Sequence, residues 1–166
     1  MAMPAPVMSV TTSPFGGKGY AAAGNTIVEI DIDQRTETRR VVIPGPVSKL
    51  AAARDGRLLA LQDKAVTLLD PASLAPIATI ALPAVGRQLA VGRRPGEAAV
   101  VLADGRVAIL ALDERRLLRT VRVPGATGAA IDGAGRTWVT AGRFLRLVPR
   151  GSSKMSKTKR FRLPPA

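Results

Sequence analysis

The sequence predicts an all-β chain, a β-propeller-like array of four four-stranded antiparallel blades, and three observations predict it. The first is a short close that returns along the whole chain: MAMPA at residues 1–5, VVIPG at 41–45, ALPA at 81–84, VRVPG at 121–125 and FRLPP at 161–165. Its marker prolines are Pro4, Pro44, Pro83, Pro124 and Pro164, so the successive intervals are 40, 39, 41 and 40 residues. The second is that the stretches between the markers are short apolar runs bounded by Gly, Asp, Asn and Pro, each too short for a helix. The third is that 166 residues at 46% hydrophobic can bury a real core. A period of about 40 residues made of short strands is the signature of a propeller blade, one four-stranded sheet per repeat. The whole chain, 1–166, is read as a single domain with blades at about 6–45, 46–84, 85–125 and 126–166.

In the first repeat, residues 7–11 form the innermost strand and Ser13-Pro14-Phe15-Gly16-Gly17 a turn. Residues 19–23 follow as a second strand, and Gly24-Asn25 is the two-residue hairpin type that accepts positive φ. In the third strand, 26–33, Val28, Ile30 and Ile32 alternate with Glu29, Asp31 and Asp33, which predicts one apolar face and one wet carboxylate face. Residues 39–43 complete the blade. The second repeat gives SKLAAA, the turn Arg54-Asp55-Gly56-Arg57, LLAL, AVTLLD and the outer strand 76–83. The third gives QLAV, AAVVL, VAILALD and LLRTVRV, with turns at 93–96 and 103–105. The fourth gives TGAAI, TWVT, FLRLV, a Ser/Lys-rich loop over 149–158, and KRFRL.

The run from Tyr20 through Ala21-Ala22-Ala23-Gly24-Asn25-Thr26-Ile27-Val28-Glu29-Ile30-Asp31, continued by VVIPG and by Ala51-Ala52-Ala53-Arg54-Asp55-Gly56-Arg57, resembles the YVTN class of β-propeller repeat. AVTLLD is similar to the closing strand of a WD-type blade. The motifs are degenerate: only the tyrosine of the YVTN tetrad stands, Leu69 occupies the WD tryptophan position, and the fourth blade departs furthest. The resemblance covers nearly the whole chain and implies the propeller fold with a habit of binding through loops at the sheet ends. It implies no single activity, because a fold hosts many functions.

Composition narrows the chemistry. With no cysteine and no histidine, thiolate nucleophiles, His-based general bases and the usual zinc ligands are excluded. Nothing in the sequence calls for an oxidising compartment, and no cofactor, metal site or catalytic residue is expected. Glu29, Asp31 and Asp33 project two apart and would offer oxygens to a hard cation, but a straight strand lacks the curved carbonyl-rich loop such ions use, so they are read as a solvated face. Asp55, Asp104 and Asp132 precede glycine and are read as turn formers. Lys154-Met155-Ser156-Lys157-Thr158 is similar to the nucleotide-binding loop of class I aminoacyl-tRNA synthetases, but that class needs a histidine-containing companion motif, so the string is read as coincidence. Residues 147–152 match a thrombin-cleavage linker; FRLPP beyond them keeps the repeat period, and the tail is read as native. The first ten residues do not read as a signal peptide, and no apolar run approaches the roughly 18 residues of a membrane span. A cytoplasmic protein without a membrane partner is the resulting expectation.

Charge is the outlier, with 25 basic against 12 acidic side chains for a net +13. From Gly133 onward there are basic residues only: Arg136, Arg143, Arg146, Arg150, Lys154, Lys157, Lys159, Arg160 and Arg162, nine of the net thirteen charges. Such a segment favours acidic partners, and Arg143, Arg146, Arg150, Lys154, Lys157, Lys159, Arg160 and Arg162 are candidate contacts to a nucleic-acid backbone. A GC-rich genome's preference for arginine, here 19 against 6 lysines, explains the same excess without function. Five aromatics are too few for a base-stacking platform. The opposite asymmetry lies in the second blade, whose outer strand carries no charge; Ile77, Ala78, Ile80 and Leu82 are therefore candidate contacts to a protein partner.

The expected function is a non-catalytic scaffold for protein–protein interaction. The alternative is phosphate-backbone binding by the C-terminal blade, and a metal- or carboxylate-dependent enzyme stands third. Every blade reads as whole, so no blade split between the chain ends acts as a clasp. That leaves a closed four-bladed ring, or a symmetric homodimer in which blade four of each chain packs on blade one of the other to complete eight blades. A further possibility is that MAMPA is the remnant of an upstream blade in a longer ancestor.

Overall fold

The computed structural model describes residues 3, 5–93, 96–148 and 161–162. Among them no helix is present, and the strands form four antiparallel sheets, each with its strands in chain order. The chain divides into two compact units, Met1–Ala81 and Leu82–Ala166. The first unit holds blade one, β1 (Val7–Thr12), β2 (Lys18–Ala23), β3 (Thr26–Asp31) and β4 (Thr36–Val42), and blade two, β5 (Lys49–Ala52), β6 (Leu58–Leu61), β7 (Ala65–Leu69) and β8 (Pro76–Ala81). The second unit holds blade three, β9 (Gly86–Val91), β10 (Glu97–Leu102), β11 (Arg106–Ala111) and β12 (Arg116–Arg122). It also holds blade four, β13 (Ala126–Ile131), β14 (Thr137–Ala141), β15 (Phe144–Val148) and β16 (Phe161–Arg162).

Backbone geometry repeats with the same intervals as the marker prolines. The pairing of third with fourth strand carries a bulge at Glu29/Ile30, at Leu68/Leu69 and at Ile109/Leu110. The following loops place Arg35, Leu74 and Arg115 in the left-handed region, at φ 56°, 59° and 53°. Both sets step by 39 and then 41 residues, as Pro44, Pro83 and Pro124 do. A bulge twists its strand locally, so repeating it at one point gives successive outer strands one common bend. The hairpins after β1, β5 and β13 are likewise tuned by small turns, and Gly56 at φ 88° is the clearest, because an L side chain there is strained.

The middle strands are buried on both sides. Ala21 to Ala23, Leu58 to Leu61 and Ala98 to Leu102 are unbroken buried runs, as expected of sheets that stack face to face. In the first unit the face of blade one bearing Tyr20, Ala22, Ile27 and Ile43 closes on Leu50, Leu58, Ala60, Leu69 and Leu74 of blade two. The inner strands β1 and β5 lie side by side, and the Leu50 amide donates to Ser9 Oγ at 2.9 Å. Gln62 joins the blades again, donating to the carbonyls of Pro44 and Gly45 while accepting from the Thr67 hydroxyl. In the second unit Ala99, Val101, Val107, Ile109, Val121 and Val123 of blade three close on Val139, Ala141 and Val148 of blade four.

Two-sided burial corrects two expectations. The carboxylate face of the third strand is wet only toward its end: Glu29 is 2% exposed, because its face packs toward blade two, whereas Asp31 is half-buried and Asp33 exposed. The strand also ends at Asp31, leaving Ile32 and Asp33 in the loop, and the three acids do not converge into a metal-binding group. The uncharged outer strand β8 is not an open apolar face either. Ile80 is 3% and Leu82 6% exposed, Ile77 and Ala78 are half-buried, and only Pro76, Thr79 and Ala81 of that strand face solvent. Of the four candidate contacts, Ile80 and Leu82 thus lie on the side that packs inward.

Candidate functional site

The first unit holds a cleft of about 360 Å³ at the end of the blades where the β1–β2 and β3–β4 loops lie. Ser13, Phe15, Lys18, Tyr20, Asp31 and Asp33 of blade one line it, with Gly56 and Pro71 of blade two opposite. The β1–β2 loop is held by its own hydrogen bonds: Ser13 N to Lys18 O (2.9 Å), Lys18 N to Gly16 O (2.8 Å) and Phe15 N to Ser13 Oγ (3.2 Å). Ile32 N adds a bond to Gly17 O at 3.0 Å, tying this loop to the one after β3. Phe15 is thereby fixed at the mouth of the cleft while remaining 74% exposed. A Cβ on Gly56 would stand 3.0 Å from Phe15 Cε2 and 3.2 Å from Pro71 Cβ, so the absence of a side chain at 56 makes the room in which the ring edge sits.

Beneath the cleft lies a polar group centred on the buried Glu29 and reached from solvent by Lys18. Lys18 Nζ donates to Glu29 Oε1 at 3.1 Å, and the Thr38 hydroxyl donates to the same oxygen at 2.8 Å. Glu29 Oε2 is buried without a hydrogen-bond partner among the described residues. Tyr20 sits opposite Glu29 in register, and burial, reinforced by the Glu29 charge, pushes its phenol up from its ordinary value. Arg39, opposite Glu29 on β4, donates across to the Ala72 carbonyl of blade two. Asp31 accepts from Gln34 N at 2.8 Å, so one of the rim carboxylates is first a turn former.

The second unit carries the counterpart, a cleft of about 560 Å³ lined by Glu97, Ile109, Leu118, Arg119, Gly135, Thr137 and Val148. Register identifies the positions: Ile109 pairs with Arg119 beside the bulge as Glu29 pairs with Arg39, and Gly135 stands where Gly56 does. Glu97 takes the place of Lys18 and Ile109 that of Glu29, so an acid stands at the lysine position while the arginine opposite is kept. Burial pulls the Arg119 guanidinium down from its ordinary value, with the Glu97 charge opposing. The two clefts thus share an arginine at one register position and differ in the charge at the Lys18 position.

Five of the arginines pair with an acid two to four residues away in sequence. Arg57 pairs with Asp55 (2.5 Å), Arg106 with Asp104 (2.5 Å), Arg116 with Glu114 (2.5 Å), Arg40 with Glu37 (2.7 Å) and Arg136 with Asp132 (2.7 Å). Asp132 also accepts from Trp138 Nε1 at 3.0 Å, and that bond with those to Arg136 holds its carboxyl far below the usual range. The Arg136 guanidinium lies 5.8 Å from the Trp138 ring centre. Of the candidate phosphate contacts, Arg143 is exposed at a turn and Arg146 is half-buried on β15 with its Nε enclosed. Arg162 is on β16, opposite Phe144, while Arg150, Lys154, Lys157, Lys159 and Arg160 lie outside the described residues, as do the thrombin-like and synthetase-like strings beyond Val148.

Sheets of this kind, stacked face to face with loop-end clefts, define a propeller-type repeat protein, and the known structures agree. The chain superposes on a structure of U3-55K with a TM-score of 0.80 at 15% identity, over 92% of this chain and 52% of that one. On the WD40 repeats of RRP9 the TM-score is 0.81 at 14% identity, over 98% and 52%. On hydrazine synthase of Kuenenia stuttgartiensis it is 0.81 at 14% identity, over 98% and 51%. The chain therefore spans about half the length of the structures it matches, and at this identity the likeness establishes the fold: a β-propeller repeat protein with degenerate repeats. No protein-family model matches the sequence, and no curated protein does. Among the described residues no helix is long and apolar enough to cross a membrane.

Proposed function

We propose that the protein is a non-catalytic propeller scaffold that binds another protein at the cleft of its first unit. The observation that carries this reading is Phe15, a large aromatic held in solvent by a hydrogen-bonded loop. An exposed aromatic fixed before binding loses little conformational entropy on contact, which is the property of an interface anchor. Asp31, Asp33 and Lys18 around it supply a polar rim of both signs, and Tyr20 and Pro71 supply an apolar floor. WD40 repeats among the matched structures support the scaffold class.

The test is affinity capture from the native host with the wild-type chain and with Phe15→Ser, which changes an exposed side chain and leaves the fold intact. Proteins retained by the first and lost by the second identify the partner. Equal retention by both chains overturns the assignment to this cleft. The same eluates, treated with nuclease, decide the phosphate-binding alternative: capture abolished by nuclease places nucleic acid between bait and prey.

A further inference from the structure

The repeat makes each blade face comparable with its counterparts, and two faces differ from the rest. Cross-strand pairing puts Val10, Ala21 and Val28 in one row on blade one, on the side away from blade two, and Leu50, Ala60 and Thr67 in the matching row of blade two. Leu50 is 7% exposed, since blade one covers it; Val10 is 71% exposed. Ile32 and Val42 share the face of Val10, and across the register shift at Met8 so does Val7, opposite Ala23; all three are exposed too. Apart from Met8 and Phe15, these are all the exposed large apolar residues described in the first unit.

Blade four shows the complementary lack. On blades one and three the face turned to the next blade carries Tyr20, Ala22 and Ile27, or Ala99, Val101 and Val107, all buried. The same register positions on blade four are Trp138, Thr140 and Leu145. Here Trp138 and Leu145 are only half-buried and Thr140 is exposed. Blade one therefore offers an uncovered receiving face, and blade four an uncovered covering face.

We infer that the occupant of the blade-one face is blade four of a second copy of this chain, joined as a symmetric pair with two equivalent junctions. The contact continues an interface the chain already makes twice, blade one on blade two and blade three on blade four, so the shape of the docking surface is encoded in the repeat itself. A face of Val7, Val10, Ile32 and Val42 left in water would be an association hazard, and a twofold pair removes it at both ends. The inference names a self-contact away from the Phe15 cleft and does not depend on the scaffold reading.

Native mass spectrometry and sedimentation at low micromolar concentration read the result. The expected species is twice the 17.3 kDa chain mass, and Val10→Asp, at an exposed position, returns it to one chain mass with an unchanged circular dichroism spectrum. Because the chain has no cysteine, Val10→Cys and Thr140→Cys can be made singly, mixed and oxidised. A covalent pair containing one of each supports the inference. A single-chain mass at all concentrations overturns it. So does a doubly substituted chain that closes its disulfide within itself, or a ladder of masses above the pair. Failure here leaves the capture by Phe15 unaffected, so the two readings fail separately.

Discussion

Replacing Glu29 with leucine is expected to stabilise the protein, while removing its partner Lys18 is expected to destabilise it. Glu29 is 2% exposed, its Oε1 accepts from Lys18 and Thr38, and its Oε2 has no hydrogen-bond partner among the described residues. The positions that match it by register, Leu68 and Ile109, hold buried apolar side chains in the same kind of space. Replacing a buried ion pair by well-packed apolar groups is neutral to stabilising by about 1–4 kcal/mol. Only one member of this pair is buried, and Lys18, 46% exposed, returns its ammonium to water. The low end applies, about 1–2 kcal/mol. Lys18→Met keeps the packing of the stem but leaves the carboxylate with the Thr38 hydroxyl alone. Breaking a fully buried pair costs about 3–5 kcal/mol, and the exposure of Lys18 reduces this to about 1–2 kcal/mol. In a chain of this size each kcal/mol moves Tm by about 2–4 °C, so thermal and urea unfolding resolve opposite shifts. The double variant should match Glu29→Leu, since the lysine matters only while the carboxylate is there. If Glu29→Leu lowers stability as much as Lys18→Met does, the carboxylate is a net structural support and the reasoning fails.

Other substitutions test the packing and the turns. Ile80→Lys should cost about 3 kcal/mol or more by burying an ammonium, whereas Thr79→Lys next to it should stay within about 0.5 kcal/mol; urea unfolding of both checks the direction in which β8 faces. Gly56→Ala should lower stability by more than Gly142→Ala, since both are at positive φ but only the first meets Phe15 and Pro71, and a smaller loss at 56 contradicts the cleft geometry. Asp132 should titrate well below its ordinary value of 3.8. Its depressed carboxyl favours the folded state above the unfolded pKa, and that contribution is lost as pH falls through the folded one. Trp138→Phe should raise the Asp132 pKa toward 3.8 in a carbonyl NMR titration, and an unchanged value would exclude the indole bond as its main cause.

The blade repeat was legible because its punctuation is chemical. Pro44, Pro83 and Pro124 end outer strands, and Asp-Gly and Gly-Asn pairs mark hairpins that few other residues form. The left-handed loop residues were not legible, since Arg35, Leu74 and Arg115 have nothing in common as side chains and share only their place after the bulge. Alternation failed at Glu29 because blades stack on both faces of a middle strand, and period-two patterning identifies sides without saying which one meets water. The absence of charge over β8 marks an inward-facing strand as readily as a partner-binding one, and Ile80 and Leu82 are buried. The cleft could not be read from the sequence at all: Phe15, Gly56 and Pro71 come from two blades, and only blade-on-blade packing brings them together.

The central claim is that Phe15 marks where a protein partner docks. A photo-crosslinking phenylalanine analogue placed at position 15, and in a second preparation at Lys64 in the β6–β7 turn at the other end of blade two, tests it in the native host. The account predicts a discrete crosslinked protein from position 15, none from position 64, and its loss when unlabelled wild-type chain competes. Equal crosslinking from the two positions, or capture at 64 alone, would contradict it.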